Sequence, residues 1–366
     1  MATLVAGFFS AWINQSLLRN TGVGEASFKG IPRAALFGTI TAAGAAAGML
    51  GFIVALGAPG FSALTVAAVS ILAAANTYGS IQAAVLQREL LSGAIAWVLG
   101  IRTLGAVLIS FAVIELWDAT SGDSIIWSFA AASILAVTYA KTRYSAVFAG
   151  SAKGSAKVLR AFWNYGWPMS IWAAASTALL YSDRIALNLT LGSQEAGGYA
   201  AVADLIVRGF GLVAFPITMY AHPVIMRAAN SKAGDLRDTI NRMLLLVVGV
   251  VAVFGIACGA AVVFASDLVG LEVAVSDIDT WLIVLGAGAW QVALVTHKFM
   301  EVQNRTKELA FIIVIIAIVS FSANILFSYG SDTHVAPEIF CISAMTYCLV
   351  TYVIGALRNS FTTERT

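Results

Sequence analysis

Charge is what this sequence has least of. Only 11% of its 366 residues are Asp, Glu, Lys or Arg, where a soluble globular chain carries roughly a quarter, and the mean hydropathy is +0.87. That is too little polar surface for a water-soluble globule, so the chain reads as an integral membrane protein. Cysteine is nearly absent as well. Cys258, Cys341 and Cys348 all fall in apolar runs, which excludes a disulfide framework or a thiolate metal site and leaves packing as their role. The three histidines, His222, His297 and His334, are scattered and lack adjacent acids, so they give no metal-ligand signal. Long polar loops are missing too: the longest gap between apolar runs, 142–164, is short and basic. This leaves no room for a soluble catalytic domain, and no glycine-rich phosphate loop or ATP-binding domain occurs. Neither an enzyme nor a cofactor is expected. Energy for vectorial work must come from an ion gradient (H+ or Na+), substrate asymmetry or a partner.

What the sequence does have is apolar length. A helix needs about 20 mostly apolar residues to cross the hydrocarbon core. Eleven such runs follow one another, at approximately 2–18, 33–57, 61–85, 91–116, 124–141, 165–190, 195–221, 239–265, 279–300, 307–329 and 335–357. Lys and Arg in short loops mark the cytoplasmic side. Here they follow the first run (Arg19, Lys29, Arg33), the third (Arg88), the fifth (Lys141, Arg143, Lys153, Lys157, Arg160) and the seventh (Arg227, Lys232, Arg237, Arg242). They follow the ninth (Lys298, Arg305, Lys307) and the eleventh (Arg358, Arg365) as well, and the alternate loops carry none. The map expects a cytoplasmic C-terminus and an extracytoplasmic N-terminus for this chain. A signal peptide would place its basic residues before the apolar run, not after it.

The odd span count has a reading in an internal repeat. "LLRN" after the first run and "IMRAAN" after the seventh both close an inward-running helix with Arg; "VLQRELLSGA" after the third corresponds to "EVQNRTKELA" after the ninth. On that register the sixth run has no partner in the first half. The expectation is a six-plus-six parent whose first helix would lie before Met1. The N-terminal bundle is then 1–157, lacking that helix, and the C-terminal bundle 158–366.

The stretch "YGWPMSIWAAASTALLYSDRIALNLTLGSQEAGGYAAVADLIVRGF" resembles the start of the second half in polysaccharide and O-antigen flippases, within the multidrug/oligosaccharidyl-lipid/polysaccharide exporter superfamily. The residues carrying the resemblance are Tyr165, Gly166, Pro168, Ser182, Asp183, Arg184, Leu191, Gly192, Gly198 and Tyr199. "AWINQSLLRN" is similar to the family's second helix, "HKFMEVQNRTKELA" to its segment before the eleventh, and "SANILFSYG" to a helix end. The resemblance covers nearly the whole chain in order. It implies an all-α, polytopic, MATE-like fold: about eleven transmembrane helices of twelve, in two six-helix bundles around a central cavity. It also implies translocation of a lipid-linked oligosaccharide across the bacterial plasma membrane by alternating access. The partners implied are the lipid bilayer, a polyprenyl-pyrophosphate-linked glycan, and the polysaccharide polymerase and glycosyltransferases of the same route, with no nucleic acid.

Ionised side chains cost roughly 2.5–3.5 kcal/mol at the centre of a spanning helix on insertion scales, so those present need partners or water. Asp183 and Arg184 lie in the sixth run, Asp204 and Arg208 in the seventh, joined by a short turn near Gly192–Gly198. Arg184 and Asp204 each stand about ten residues from Gln194, so a hairpin holds them at a common depth; Asp204 and Arg208 are an i,i+4 pair. Two readings stay open, a cationic site for pyrophosphate and a self-neutralising cluster that locks two helices together. Arg102 sits about ten residues into the fourth run with no acid within a turn. It reads as a cavity wall or anion contact, or as half of a pair with an acid on another helix. Asn14 and Gln15, a turn before Arg19, read as helix–helix hydrogen-bonding groups or as lining of an inward-facing cavity. Two other functions fit less of the pattern: a cation-coupled multidrug exporter of the same superfamily, and an integral-membrane glycosyltransferase or polymerase, which would need an aqueous catalytic loop.

Overall fold

The structure is a computed structural model, describing residues 2–19, 31–55, 62–89, 91–117, 122–148, 156–230, 236–269, 275–328 and 335–362. All the regular structure among these residues is α-helical. That follows from the composition, because a backbone in hydrocarbon must satisfy its own polar groups, and a helix does so within one segment. Among the described residues, eleven long helices fall on the eleven expected stretches. Among the described residues, nine are long and apolar enough to cross a membrane. The other two contain Asn14, Gln15 and Arg19 in one case, and Arg160, Asn164, Asp183 and Arg184 in the other. The chain divides into two compact units, Met1–Ala174 and Ala175–Thr366. The loop residues Lys29, Lys153, Lys232, His334 and Arg365 lie outside the described residues.

Unit 1 contains α1 (Ala2–Arg19), α2 (Ile31–Ala55), α3 (Ala63–Arg88), α4 (Ser92–Trp117), α5 (Gly122–Arg143), the single turn α6 (Ser145–Phe148) and the first half of α7 (Ala156–Thr190). Helix α3 is the hub and packs against α1, α2, α4 and α5. Its start is fixed twice. Ser62 and Thr65 form a reciprocal capping box, and the same two hydroxyls donate to Asp123 in the first turn of α5, at 3.0 and 2.6 Å. The α1–α2–α3 seam is built on small residues, with Ala42, Ala46 and Ala73 fully buried, as close packing between spanning helices requires. Outward, α4 presents Trp97, Leu104, Leu108, Phe111 and Leu116, an apolar exterior suited to lipid.

Helix α7 approaches α1 through Gly166. A Cβ there would lie 2.2 Å from the Trp12 carbonyl oxygen and 2.6 Å from its Cα, while Ser16 donates to the Phe162 carbonyl and Trp12 meets Trp163 edge to face. The obstacle is backbone, which cannot swing aside. Gly166→Ala is therefore expected to destabilise the protein at the upper end of the roughly 1–3 kcal/mol typical of overpacking. Thermal unfolding in detergent checks this, with Gly7→Ala, where a Cβ meets nothing, as the silent control.

Unit 2 contains the rest of α7, then α8 (Ser193–Asn230), α9 (Leu236–Val269), α10 (Asp277–Thr296), the short α11 (Lys298–Val302), α12 (Thr306–Ser328) and α13 (Val335–Thr362). Helix α10 is its centre and packs on α8, α9 and α13, with Trp290 stacked on Tyr347. The α7–α8 hairpin turns at Gly192, whose φ of +97° is a conformation only glycine adopts without strain. A core of Leu187, Tyr199, Ile206, Phe210, Ile283 and Phe340 lies beneath that hairpin. The ninth expected run, 279–300, is interrupted: α10 ends at Thr296, and the chain restarts after His297 as α11.

Candidate functional site

The hairpin brings four of the expected site residues together in unit 2. Arg184 Nη2 lies 2.9 Å from Asp204 Oδ1, and its Nη1 lies 3.4 Å from Asp183 Oδ1 and donates to the Leu180 carbonyl. Arg208 Nη2 completes the row, 3.1 Å from Asp204 Oδ2. Asp183 is 1% exposed. It accepts the Arg184 backbone N–H at 2.8 Å and, on its other oxygen, the Tyr199 hydroxyl at 2.7 Å. The Arg184 guanidinium also sits 5.1 Å from the centre of the Tyr181 ring, within cation–π range. The result is a continuous row, Tyr199–Asp183–Arg184–Asp204–Arg208, that begins in the core and ends on an exposed arginine. Its two acids and two arginines neutralise one another. Tyr199 carries a role that the charge pattern alone did not reveal, as the donor that holds the buried carboxylate from the second helix of the hairpin.

Arg102 is half-buried midway along α4, and no ion pair or hydrogen bond reaches it among the described residues. Asn14 donates to the Ser80 hydroxyl at 2.7 Å, tying α1 to α3, while its Oδ1 and the Gln15 Oε1 are buried without a hydrogen-bond partner among the described residues. Asn14 thus bonds to a neighbouring helix, one of the two roles open for it. A similar tie joins α3 to α5, where Gln82 donates to the Val137 carbonyl at 3.2 Å and Ser133 to Asn76 at 3.1 Å.

A second cluster in unit 2 corrects the picture of scattered histidines. His297, in the break between α10 and α11, places Nε2 3.2 Å from Glu301 Oε1, and His222 of α8 places Nδ1 3.8 Å from Glu301 Oε2. Lys298 Nζ lies 2.9 Å from both oxygens of the same carboxylate. All four side chains are buried, Glu301 completely. Lys298 is thus not the loop charge expected of it. The helix break turns residues 297–301 inward, and the seventy-five-residue separation of His222 and His297 is closed by packing of α8 on α11. The i,i+4 spacing of His297 and Glu301 and the i,i+3 spacing of Lys298 and Glu301 were the local signals for the cluster. No group of three or more His, Cys, Asp or Glu suited to a metal ion occurs among the described residues.

The fold is shared with solved transporters. An outward-facing multidrug resistance MATE family transporter of the MOP superfamily is 11% identical, with a TM-score of 0.70 over 100% of this chain and 85% of that one. The inward-facing conformation of such a transporter gives 0.66 at 11% identity, over 100% and 89%. A MOP superfamily transporter from Pyrococcus furiosus, described as having a binding pocket of reverse polarity that suggests a different function, gives 0.62 at 13% identity, over 98% and 84%. At such identities the likeness establishes the MATE-like helical fold. No protein-family profile and no curated protein matches the sequence.

Proposed function

We propose that this protein translocates a lipid-linked oligosaccharide across a bacterial plasma membrane by alternating access. The observation carrying this reading is Arg102, a half-buried guanidinium in an apolar spanning helix with no ion pair among the described residues. A cation so placed calls for water or an anionic partner, and the planar fork of arginine matches a pyrophosphate bidentately. Arg184 and Arg208 are held by Asp183 and Asp204 in this arrangement and become available to an anion only if those pairs part; the order of the flippase-like motifs points the same way. The fold is not tied to one charge of substrate, since a solved relative in fold is described by a pocket of reverse polarity. On the alternating charge map, the Gly192 hairpin faces outward and the α10–α11 break faces the cytoplasm.

The alternative is a cation-coupled multidrug exporter, favoured by the buried carboxylates Asp183 and Glu301 and by the multidrug function of the transporter it resembles in fold. Surface-polysaccharide export in cells separates the two. At equal membrane abundance, Arg102→Ala and Arg184→Ala should each slow export at least about tenfold, as loss of one charge-assisted contact of roughly 1.5–3 kcal/mol requires. Arg102→Lys should retain part of the rate. Normal export from both alanine variants removes the cationic role. Drug resistance that depends on a sodium or proton gradient supports the exporter instead.

A further inference from the structure

We infer that His222, facing the Lys298–Glu301 pair, is a proton-binding site of unit 2, and that the ion exchanged there is a proton and not a metal cation. The carboxylate of Glu301 already holds a resident cation. Lys298 Nζ, tethered three residues away, lies 2.9 Å from both oxygens and fills the place that a sodium ion would take. The pair belongs to one short helix and is neutral by itself, so it stays compensated wherever α8 goes. His222 is what α8 contributes. Its Nδ1 is 3.8 Å from Glu301, beyond hydrogen-bond distance, and its Nε2 is buried with no partner among the described residues.

The imidazole also stands where the unit can part most easily. Pro216 and Pro223 lie inside α8, each removing a helical donor, and Pro223 directly follows His222. Across from it is the break at His297 between α10 and α11. The other groups near this contact are occupied or exposed. His297 shares Glu301 Oε1, and the Tyr347 ring of α13 lies 6.5 Å from that of His297. Tyr352 of α13 meets Phe299 edge to face. Arg305, ahead of α12, is bonded to Glu308 and reaches the Ile354 carbonyl. Arg237, Asp238 and Arg242 of α9, Lys307 of α12, and Tyr220 and Arg227 of α8 are exposed. A proton arriving at His222 therefore meets Glu301 and Lys298 first.

His222 lies past the apolar span of α8, Ala196–Ala214. In this arrangement burial, and then the Lys298 ammonium, push its imidazole down to about 3. Once α8 parts from α11 both influences weaken, and the group returns toward its ordinary value. The closed arrangement binds fewer protons, so acid favours the parted one. For an imidazole that regains a pKa of about 6.5, the opening constant rises roughly thirtyfold from pH 8 to pH 5.

The test uses the full chain in lipid nanodiscs and depends on no assumption about the transported substrate. Hydrogen–deuterium exchange protection across 216–230 is measured over about pH 5–8, the range in which imidazole changes charge, with and without sodium. Nitrogen-15 histidine spectra are followed alongside, simplified by there being only three histidines. The expected result is a loss of protection of up to the thirtyfold above on acidification, tracking the His222 signal, absent in His222→Gln and indifferent to sodium. Protection in the wild type that ignores pH overturns the inference, as does the same pH response in His222→Gln or a sodium-dependent shift of the His222 signal. Should His222→Gln not accumulate, the wild-type pH and sodium arms decide alone.

Discussion

Exchanging Arg184 for methionine will destabilise the protein by about 3–5 kcal/mol, the range seen when one partner of a buried ion pair is removed. The Arg184 side chain is only 10% exposed and Asp183 2%, whereas Asp204 is 30% and Arg208 67% exposed. The damage is therefore unequal. Asp204 keeps Arg208 and water, but Asp183 is left with the Tyr199 hydroxyl and one backbone N–H as its donors. Neutralising the stranded acid should recover much of the loss. Asp183→Asn in the same chain carries no charge; its amide oxygen accepts from residue 184, and its NH2 donates to the Tyr199 hydroxyl oxygen, which turns from donor to acceptor. Arg208→Met, at the exposed end of the row, should fall within the ±0.5 kcal/mol usual for surface changes. Thermal unfolding of the three variants in detergent measures all of this. Equal midpoints for Arg184→Met and the wild type would remove the ion pair as a link between α7 and α8.

The legibility of this row in the sequence had a specific cause. A tight turn at Gly192 makes equal distances along two antiparallel helices equal depths, so Arg184 and Asp204 could be paired by counting outward from the turn. The span positions were legible for a similarly general reason, since hydrocarbon leaves an apolar stretch of that length almost no alternative to helix. Tyr199 was not legible as a carboxylate donor, because an aromatic in an apolar helix reads first as packing. Arg102 could be seen to lack a partner within its own helix. That none reaches it from elsewhere among the described residues required the structure. Lys298 was misread as a loop charge for the opposite reason: nothing local announces that the chain breaks at His297 and turns inward. Its i,i+3 carboxylate at Glu301 and the i,i+4 histidine were present in the sequence, but α8 supplies His222 from a distance that only packing closes.

That same cluster yields the second large effect, in Lys298→Met. The ammonium is the only permanent cation in contact with Glu301 among the described residues, and its loss leaves a fully buried carboxylate facing two imidazoles. Well above the imidazole range the variant should lose about 3–5 kcal/mol of stability. The steepness of its pH dependence is the sharper expectation. In the wild type the folded protein holds the His222 imidazole down to about 3, below the unfolded value of about 6.5. The unfolded chain thus binds more protons, and this group makes the wild type less stable as pH falls below the unfolded value. In the variant the Lys298 repulsion is gone and Glu301 remains, so a proton on His222 is opposed by burial but no longer by the ammonium. The folded-state value of His222 then rises, and burial, the larger of the two influences, still holds it below the unfolded one. Its contribution is still lost as pH falls below the unfolded value, but over a narrower window and by less than in the wild type. Unfolding midpoints recorded across about pH 5–8 should therefore fall less steeply toward acid in the variant, so that the two proteins converge there. Parallel slopes would mean that His222 does not sense the charge on Lys298. Lys298→Met combined with Glu301→Leu tests the remaining term, since removing both charges leaves no stranded carboxylate and should restore most of the stability at neutral pH.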